Sequence, residues 1–442
     1  MSSVLDPPGE RLHSAPVKST FASFLAALAG CAMTWLAFHP GCMSGDSIDQ
    51  LTQARLGVFH GHHPPVMALV WRWLDGVWPG PAPMLLLQSA LFWGGLGLIA
   101  ALSLPWWLVV PGVLCAGLAP PDFGMIGVIW KDVQMGAALL AAAAVLLHAR
   151  LRGGRWQVAP VLLLLFYAAA IRGNGPAAAL PLFAFGAAIF LPRWRPLRAY
   201  AGGVALCLAM AFATSRLNRA LTHDETPFPI QQPLLHDLVG LSLREGRSLL
   251  PAFEPVPLGR LRELYEPDRS DPLFFSDGGL HFTGRPEEMQ ALRAAWWTAV
   301  RAHPGAYLSA RMDVFRGLLG LGSRWRDILH PTVDSNALGV RAAPSAVNRL
   351  AVEYLDGASE LWFRPYLYLG AMLLLVAALA ATGRLRPVTA ALAASAFLYT
   401  APYLFVAPTT DFRYVWWPVL ASIVLPLVAL AEGRAATGAI SR

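Results

Sequence analysis

A chain of 442 residues that is 56% hydrophobic and only 14% charged, with a mean hydropathy of +0.48, is not a soluble globular domain, which carries about a quarter charged residues. Its net charge of +7 comes from arginines clustered between apolar runs, the pattern of membrane orientation signals and not a nucleic-acid footprint. Cys31, Cys115 and Cys207 lie in apolar runs and Cys42 in a loop, which excludes a disulfide framework.

In chain order, the apolar runs predict spans near 21–39, 84–103, 105–119, 126–148, 157–171, 175–191, 199–217, 366–382, 387–406 and 414–431, each approaching the length a bilayer requires. The expected class is an all-α polytopic membrane protein of about ten transmembrane helices with an extracytoplasmic, mainly helical or irregular domain. A polar stretch precedes the first run and no small-residue cleavage site clearly follows Phe38, so that run reads as a retained anchor. The expected organisation is a transmembrane module over 1–217 with its first outer loop at 40–83, an extracytoplasmic domain over 218–363, and closing helices over 364–442. Between the first two spans, Pro65 to Trp78 reads as an interfacial amphipathic helix, with Val66, Leu69, Val70 and Trp73 on one face and Arg72 and Asp75 on another. The Ala-rich stretch at 136–145 reads as close helix packing.

With the N-terminus inside, cytoplasmic segments carry Arg11, Lys18, Arg150, Arg152, Arg155, Arg193, Arg195, Arg198, Arg384, Arg386, Arg434 and Arg442, against only Asp6, Glu10 and Glu432. The positive-inside rule then orients the chain in a plasma (bacterial inner) membrane. It puts Asp46, the loop from Asp122 to Asp132, Arg172 to Asn174, Asp411 to Arg413 and the segment 218–363 on the outer face. That segment is rich in turns such as Glu266-Pro267-Asp268. From Pro286 to Leu321 it reads as helix broken at Pro304. The second half carries an apolar stripe of Tyr307, Leu308, Met312, Phe315, Leu318 and Leu319, suited either to the membrane surface or to packing within the domain.

The chemistry concentrates in the first outer loop. Gly45-Asp46-Ser47-Ile48-Asp49-Gln50 is followed by Arg55, His60 and His62-His63-Pro64-Pro65. Ionisable groups at a membrane boundary are costly and read as a site, although Asp46 could also serve as a helix cap. Asp46 and Asp49 are the candidate catalytic carboxylates, and Gln50, His62 and His63 candidate substrate contacts. Lys131 and Asp132 stand at the outer end of the fourth span, where they could equally anchor a helix end. Arg172 and Asn174 sit in a Gly-containing turn that could be only a turn. Asp411, Arg413 and Tyr414 run straight into the last span, where Arg413 either grips a phosphate or snorkels to lipid headgroups. Arg413 is a candidate phosphate contact, and Arg172, Lys131, Tyr414, Asp132, Asn174 and Asp411 are further candidate contacts on the same face. The histidine spacing matches no strong zinc pattern, so no metal is assigned, and a divalent ion is kept only as an alternative. No Walker A, G-x-G-x-x-G or H-E-x-x-H motif occurs.

The first-loop Asp46 with Gln50, then His63-Pro64-Pro65 and Trp71, resembles the GT-C superfamily of integral-membrane glycosyltransferases, especially its bacterial members related to protein mannosyltransferases. Trp130-Lys131-Asp132, His303-Pro304 leading to Tyr307, and Arg413-Tyr414 are similar to steps of the same families. The resemblance implies sugar transfer, inverting in stereochemistry, from a polyprenyl-phosphate-linked donor to an extracytoplasmic acceptor (glycan, lipid or protein). It places the catalytic base best on Asp46 and implies Arg413, Arg172, Lys131 and Tyr414 as the donor-phosphate set, with Asp132, Asn174 and Asp411 as substrate contacts. Many members carry adjacent acidic residues there, whereas here Ser47 and Ile48 separate Asp46 from Asp49, which leaves their division of roles open. Expected partners are the lipid bilayer, the lipid-linked sugar and the acceptor. The alternative from another class is a polytopic transporter or flippase of an envelope precursor.

Overall fold

The computed structural model describes residues 17–223, 230–322, 330–342 and 344–438. Asp6, Glu10, Arg11 and Arg442, which entered the charge asymmetry, lie outside the described residues. The regular elements among those described are all helices, joined by irregular segments, and β pairing is limited to isolated bridges.

Helix α1 (Val17–Phe38) turns Phe21, Phe24 and Leu28 outward and buries Ala22, Ala26, Gly30 and Thr34 at four-residue spacing. Small residues at that spacing let helices approach closely. A Cβ on Gly30 would overlap the Trp93 ring, and the Trp93 indole N–H donates to Thr34 Oγ1 at 2.9 Å. The chain then forms α2 (Gly45–Leu56), α3 (Val66–Val77) and α4 (Ala82–Ser103). Helix α3 is amphipathic, but its inward face is Val66, Met67, Ala68 and Trp71, while Trp73 is 71% exposed. That corrects the expected face. Arg72 donates to Ala54 O at 2.7 Å and Asp75 pairs with Arg55 at 3.2 Å, so the charged residues pin α3 to α2 and rotate Trp73 outward.

The third expected span emerges as the first half of a sharply bent helix pair. Helix α5 (Trp106–Gly117) meets α6 (Pro120–Ile126) at a 73° bend. Pro120 and Pro121 lack N–H groups and start a new helix more readily than they continue one. Asp122, expected in an outer loop, therefore lies in α6, fully buried, and accepts the Trp416 indole N–H at 2.9 Å. Helix α7 (Lys131–Arg152) starts five residues later than expected, because residues 127–129 are drawn into pairing with the first loop. Cys42 N–H donates to Gly127 O at 3.0 Å and Ile129 N–H to Cys42 O at 2.9 Å.

Helices α8 (Val158–Ile171), α9 (Gly175–Phe190) and α10 (Pro196–Leu221) follow. Among the described residues, six stretches are long and apolar enough to cross a membrane, α1, α4, α7, α10, Pro387–Val406 and Phe412–Ala436, or seven if the bent α5–α6 pair counts as one. Helices α8, α9 and the later α17 have 14 to 17 residues. At about 1.5 Å per residue they reach only ~21–26 Å, short of the ~30 Å hydrocarbon core.

The segment after α10 divides by core. Helices α11 (Gln231–Glu245), α12 (Leu258–Leu264), α13 (Asp271–Phe275) and α14 (Pro286–Ala302) share a separate cluster that includes Leu235, Leu238, Leu261, Leu273 and Leu292. Helix α15 (Pro304–Leu318) leads back to the bundle. Its buried face is Tyr307, Arg311, Val314 and Leu318, with Leu308 and Met312 exposed, so the apolar stripe divides between packing and surface. Helix α16 (Ala346–Asp356) lies on α1, with Asn348 donating to Ala37 O at 2.8 Å. After a 3₁₀ turn at Glu360–Phe363 come α17 (Pro365–Ala381), α18 (Pro387–Thr400) and α19 (Tyr403–Val406). A second 3₁₀ turn, Phe412–Val415, then leads into α20 (Trp416–Ala436).

The α11–α14 unit caps one end of the bundle. At the other end, Arg434 donates to Ser103 O at 2.8 Å and Glu432 accepts from the Val388 and Thr389 backbone N–H groups. A reporter fused near Gly278 should therefore lie outside the cytoplasm and one near Gly154 inside, given the arginine asymmetry. A cytoplasmic signal at Gly278 would invert this topology.

Candidate functional site

Gly45 and Asp46 form the first turn of α2, where free backbone N–H groups favour a carboxylate. Ser44, the N-cap, makes no side-chain cap; its Oγ accepts the Trp130 indole N–H at 2.7 Å. Ser47 Oγ donates to Ile129 O at 2.7 Å. These bonds seat α2 against the start of α7 and aim Asp46 across the bundle end. Arg413 Nη1 donates to Asp46 Oδ2 at 2.6 Å, and His63 Nε2 stands 3.6 Å from Asp46 Oδ1.

Arg413 is held on every side. Its Nε lies 2.7 Å from Asp411 Oδ2, and its backbone N–H donates to Asp411 Oδ1 at 3.1 Å, capping the second 3₁₀ turn. The guanidinium carbon sits 5.0 Å from the Trp130 ring centre and 5.1 Å from that of Tyr414. The α11–α15 segment fixes the approach to this turn. Arg311 Nη1 donates to Ala407 O at 2.8 Å, Ser270 N–H to Pro408 O at 3.2 Å, and Thr410 N–H to Asp268 O at 3.1 Å.

The His63 Nδ1 meets the Lys131 ammonium. An ammonium only donates, so Nδ1 is the acceptor and the ring proton resides on Nε2, facing Asp46. Burial, reinforced by Lys131, pushes the His63 imidazole down to about 3. His62 stands edge-on to His63 at 4.6 Å and is also pushed down by burial and Lys131. Its ring lies 6.1 Å from Phe282, which stacks on Phe274, so the capping unit reaches the site. Burial alone would raise the Asp46 carboxyl, but Arg413, His63 and Lys131 outweigh it and hold the group well below the usual carboxylate range. Asp411 is raised, because burial there exceeds the pull of Arg413.

A second ion pair adjoins the first. Arg172 Nη1 donates to the buried Asp132 Oδ2 at 2.7 Å and Nη2 to Tyr403 OH at 3.1 Å. The Arg172 guanidinium lies 4.8 Å from the Tyr414 ring centre, so Tyr414 bridges the two cations. Tyr403 OH in turn donates to Tyr399 OH at 3.1 Å. Four buried atoms here make no hydrogen bond: Asp132 Oδ1, Asn174 Nδ2, Gln50 Oε1 and Arg413 Nε, the last being ion-paired with Asp411.

Of the residues expected from the sequence, Asp46, His63, Lys131, Arg413, Asp411, Tyr414, Arg172 and Asp132 converge, with His62 at the edge. Gln50 lies one turn along α2 and donates to Asp46 O at 3.4 Å. Asn174 is the N-cap of α9 and its side chain caps nothing. Asp49 points elsewhere: it accepts from Gln53 Nε2 at 2.6 Å, and Gln53 Oε1 accepts the His60 backbone N–H at 2.9 Å. Its carboxylate props the turn after α2. Trp130 entered only through the Trp130-Lys131-Asp132 step, and Ser44, Tyr399 and Tyr403 were not anticipated. The i, i+4 pair of tyrosines closing the 387–406 run was the readable signal for the last two.

Among the described residues, no group of three or more His, Cys, Asp or Glu side chains is placed to hold a metal ion. The groups facing Asp46 are two cations and an imidazole, a set that suits an anion beside a proton-accepting carboxylate and does not suit a metal.

Acid should loosen this site through His63. Its folded value, about 3, lies below its ordinary 6.5, so unfolding takes up a proton. The stabilisation from a neutral His63 is complete above pH 6.5 and declines as pH falls toward 3. At pH 5 the loss is about 2 kcal/mol, at ~1.4 kcal/mol per unit. His236 in the capping unit, pushed down to about 4 by burial, adds a similar loss. Asp46 contributes only below the usual carboxylate range. Melting in detergent at pH 7.5 and 5.0 should show a smaller drop for His63→Gln than for wild type; an unchanged drop would contradict a buried neutral imidazole.

Compared with family models, curated proteins and solved structures, the chain finds no match in any of the three.

Proposed function

We propose that the chain is a GT-C-type membrane glycosyltransferase that moves a sugar from a polyprenyl-phosphate donor to an acceptor on the extracytoplasmic face. The observation that carries this reading is the meeting of Asp46 with Arg413 at 2.6 Å, beside His63, Lys131 and the Arg172–Asp132 pair. Residues from widely separated segments thus bring a proton-accepting carboxylate and two guanidiniums to one end of the helices. Helix anchoring alone would leave each pair at its own helix end.

In the reaction, the acceptor hydroxyl gives its proton to Asp46 as its oxygen attacks the anomeric carbon. The bond from that carbon to the phosphate oxygen breaks, and the electron pair leaves with the phosphate, with inversion at carbon. A general base of this kind contributes roughly 10²–10⁴ in rate. Arg413 and Arg172 balance the leaving phosphate, at about 1.5–3 kcal/mol per charged hydrogen bond. The phosphate lies near the membrane boundary, and the lipid tail lies among the spans.

The test is reconstitution of the purified chain with a polyprenyl-phosphate sugar. Acceptor-dependent release of polyprenyl phosphate is expected. Movement of the intact lipid across the bilayer with no release would select the transporter reading.

A further inference from the structure

We propose that Asp46 and the donor phosphate compete for the same edge of Arg413, so that donor binding itself frees the base. The inference rests on the transferase reading above and assigns an order to its steps.

The geometry of Arg413 leaves one edge for an anion. Nε is ion-paired with Asp411 at 2.7 Å, without a hydrogen bond. Asp411 cannot leave easily, because its other oxygen accepts the Arg413 backbone N–H. The Trp130 and Tyr414 rings crowd the guanidinium, their centres 5.0 and 5.1 Å from its carbon. What remains is the Nη1–Nη2 edge. Nη2 makes only a 3.4 Å contact to Tyr414 OH, whereas Nη1 holds Asp46 at 2.6 Å. A phosphate that takes the fork through two parallel bonds must displace Asp46 from Nη1.

Asp46 is suited to be the ligand that gives way. Its side chain is 30% exposed, against 15% for Arg413 and 20% for Asp411. It also has somewhere to go. His63 Nε2–H, its tautomer set by Lys131, stands 3.6 Å from Oδ1 and can hold the carboxylate once Oδ2 is released. A carboxylate locked on a guanidinium is a poor base, and basicity matched to the task is what makes a general base effective. Exchanging Arg413 onto the phosphate therefore delays deprotonation of the acceptor until the donor is seated.

Farnesyl phosphate is the probe, titrated against the full chain in detergent at pH 7.5. If Asp46 competes for Arg413, Asp46→Asn binds farnesyl phosphate about tenfold tighter than wild type. Asp49→Asn, which removes the same charge one helical turn away, changes affinity by less. In Asp46→Asn/Arg413→Ala the gain disappears. Wild-type protein gives a variant-independent readout: adding farnesyl phosphate shifts a carboxylate band in the infrared difference spectrum, and the band is missing in Asp46→Asn. Farnesyl phosphate binding equally tightly or more weakly to Asp46→Asn, with no carboxylate shift in wild type, overturns the exchange and leaves the transferase reading standing. No binding to wild type overturns both.

Discussion

Asp46→Asn should fold, insert and bind donor, yet lose roughly 10²–10⁴ of its sugar-transfer rate, the contribution of a positioned general base. The substitution keeps the size of the side chain and leaves an oxygen that can still accept from Arg413. It removes the negative charge and with it the ability to take a proton. A capping role predicts the opposite, since Asn caps a helix about as well as Asp, and the geometry disfavours capping. Ser44 occupies the N-cap position, and the Asp46 oxygens face Arg413 and His63. Asp49→Asn should be milder, because Asp49 is bonded to Gln53 and props the following turn. Near-normal transfer by purified Asp46→Asn would remove Asp46 from the chemistry. Complete loss in Asp49→Asn alone would move the base three residues along.

The parts of this molecule legible in its sequence are those written in local pattern. The runs at 84–103 and 199–217 emerge as α4 and α10 with shifts of a few residues, because an unbroken apolar stretch has few alternatives near a bilayer. Pro304 divides α14 from α15 where the missing N–H requires it. The convergence of Asp46, Arg172 and Arg413 follows from span counting, which places their loops at one end. What failed to show depends on partners distant in sequence. Residues 127–129 look like the start of a span, yet they pair with Cys42 and delay α7. Asp122 looks like a loop residue until Trp416 arrives from the last helix. The face of α3 is set by Arg55 and Ala54 on α2, which apolar periodicity does not register. Asp46 and Asp49, nearly equivalent as letters, separate only because Arg413 reaches one of them.

Arg311 is the residue that local pattern hides most completely, and its loss should carry the largest stability cost. It falls within the apolar stripe of α15, where a charge reads as a surface interruption, yet it is 1% exposed. Its Nε lies 2.7 Å from Asp237 Oδ1, and its two terminal nitrogens donate to Ala407 O and Pro233 O at 2.8 and 2.9 Å. Asp237 Oδ2 accepts the Trp296 indole N–H at 2.9 Å. Burial raises the Asp237 carboxyl despite the opposing pull of Arg311. Arg311→Ala leaves that carboxyl buried without its cation and orphans two carbonyls. Breaking one side of a buried pair costs about 3–5 kcal/mol, so the variant should melt well below wild type. Asp237→Asn/Arg311→Met, which removes both charges and restores apolar volume, should recover much of the loss, since the pair itself need not be strongly net stabilising. A functional consequence follows from the Ala407 bond. That carbonyl opens the loop leading to Asp411 and Arg413, so any folded Arg311→Ala protein should hold Arg413 less firmly and bind farnesyl phosphate more weakly, while Arg434→Ala, at the opposite end of the bundle, should not. Wild-type melting and wild-type affinity in Arg311→Ala would show that the capping unit does not brace the site.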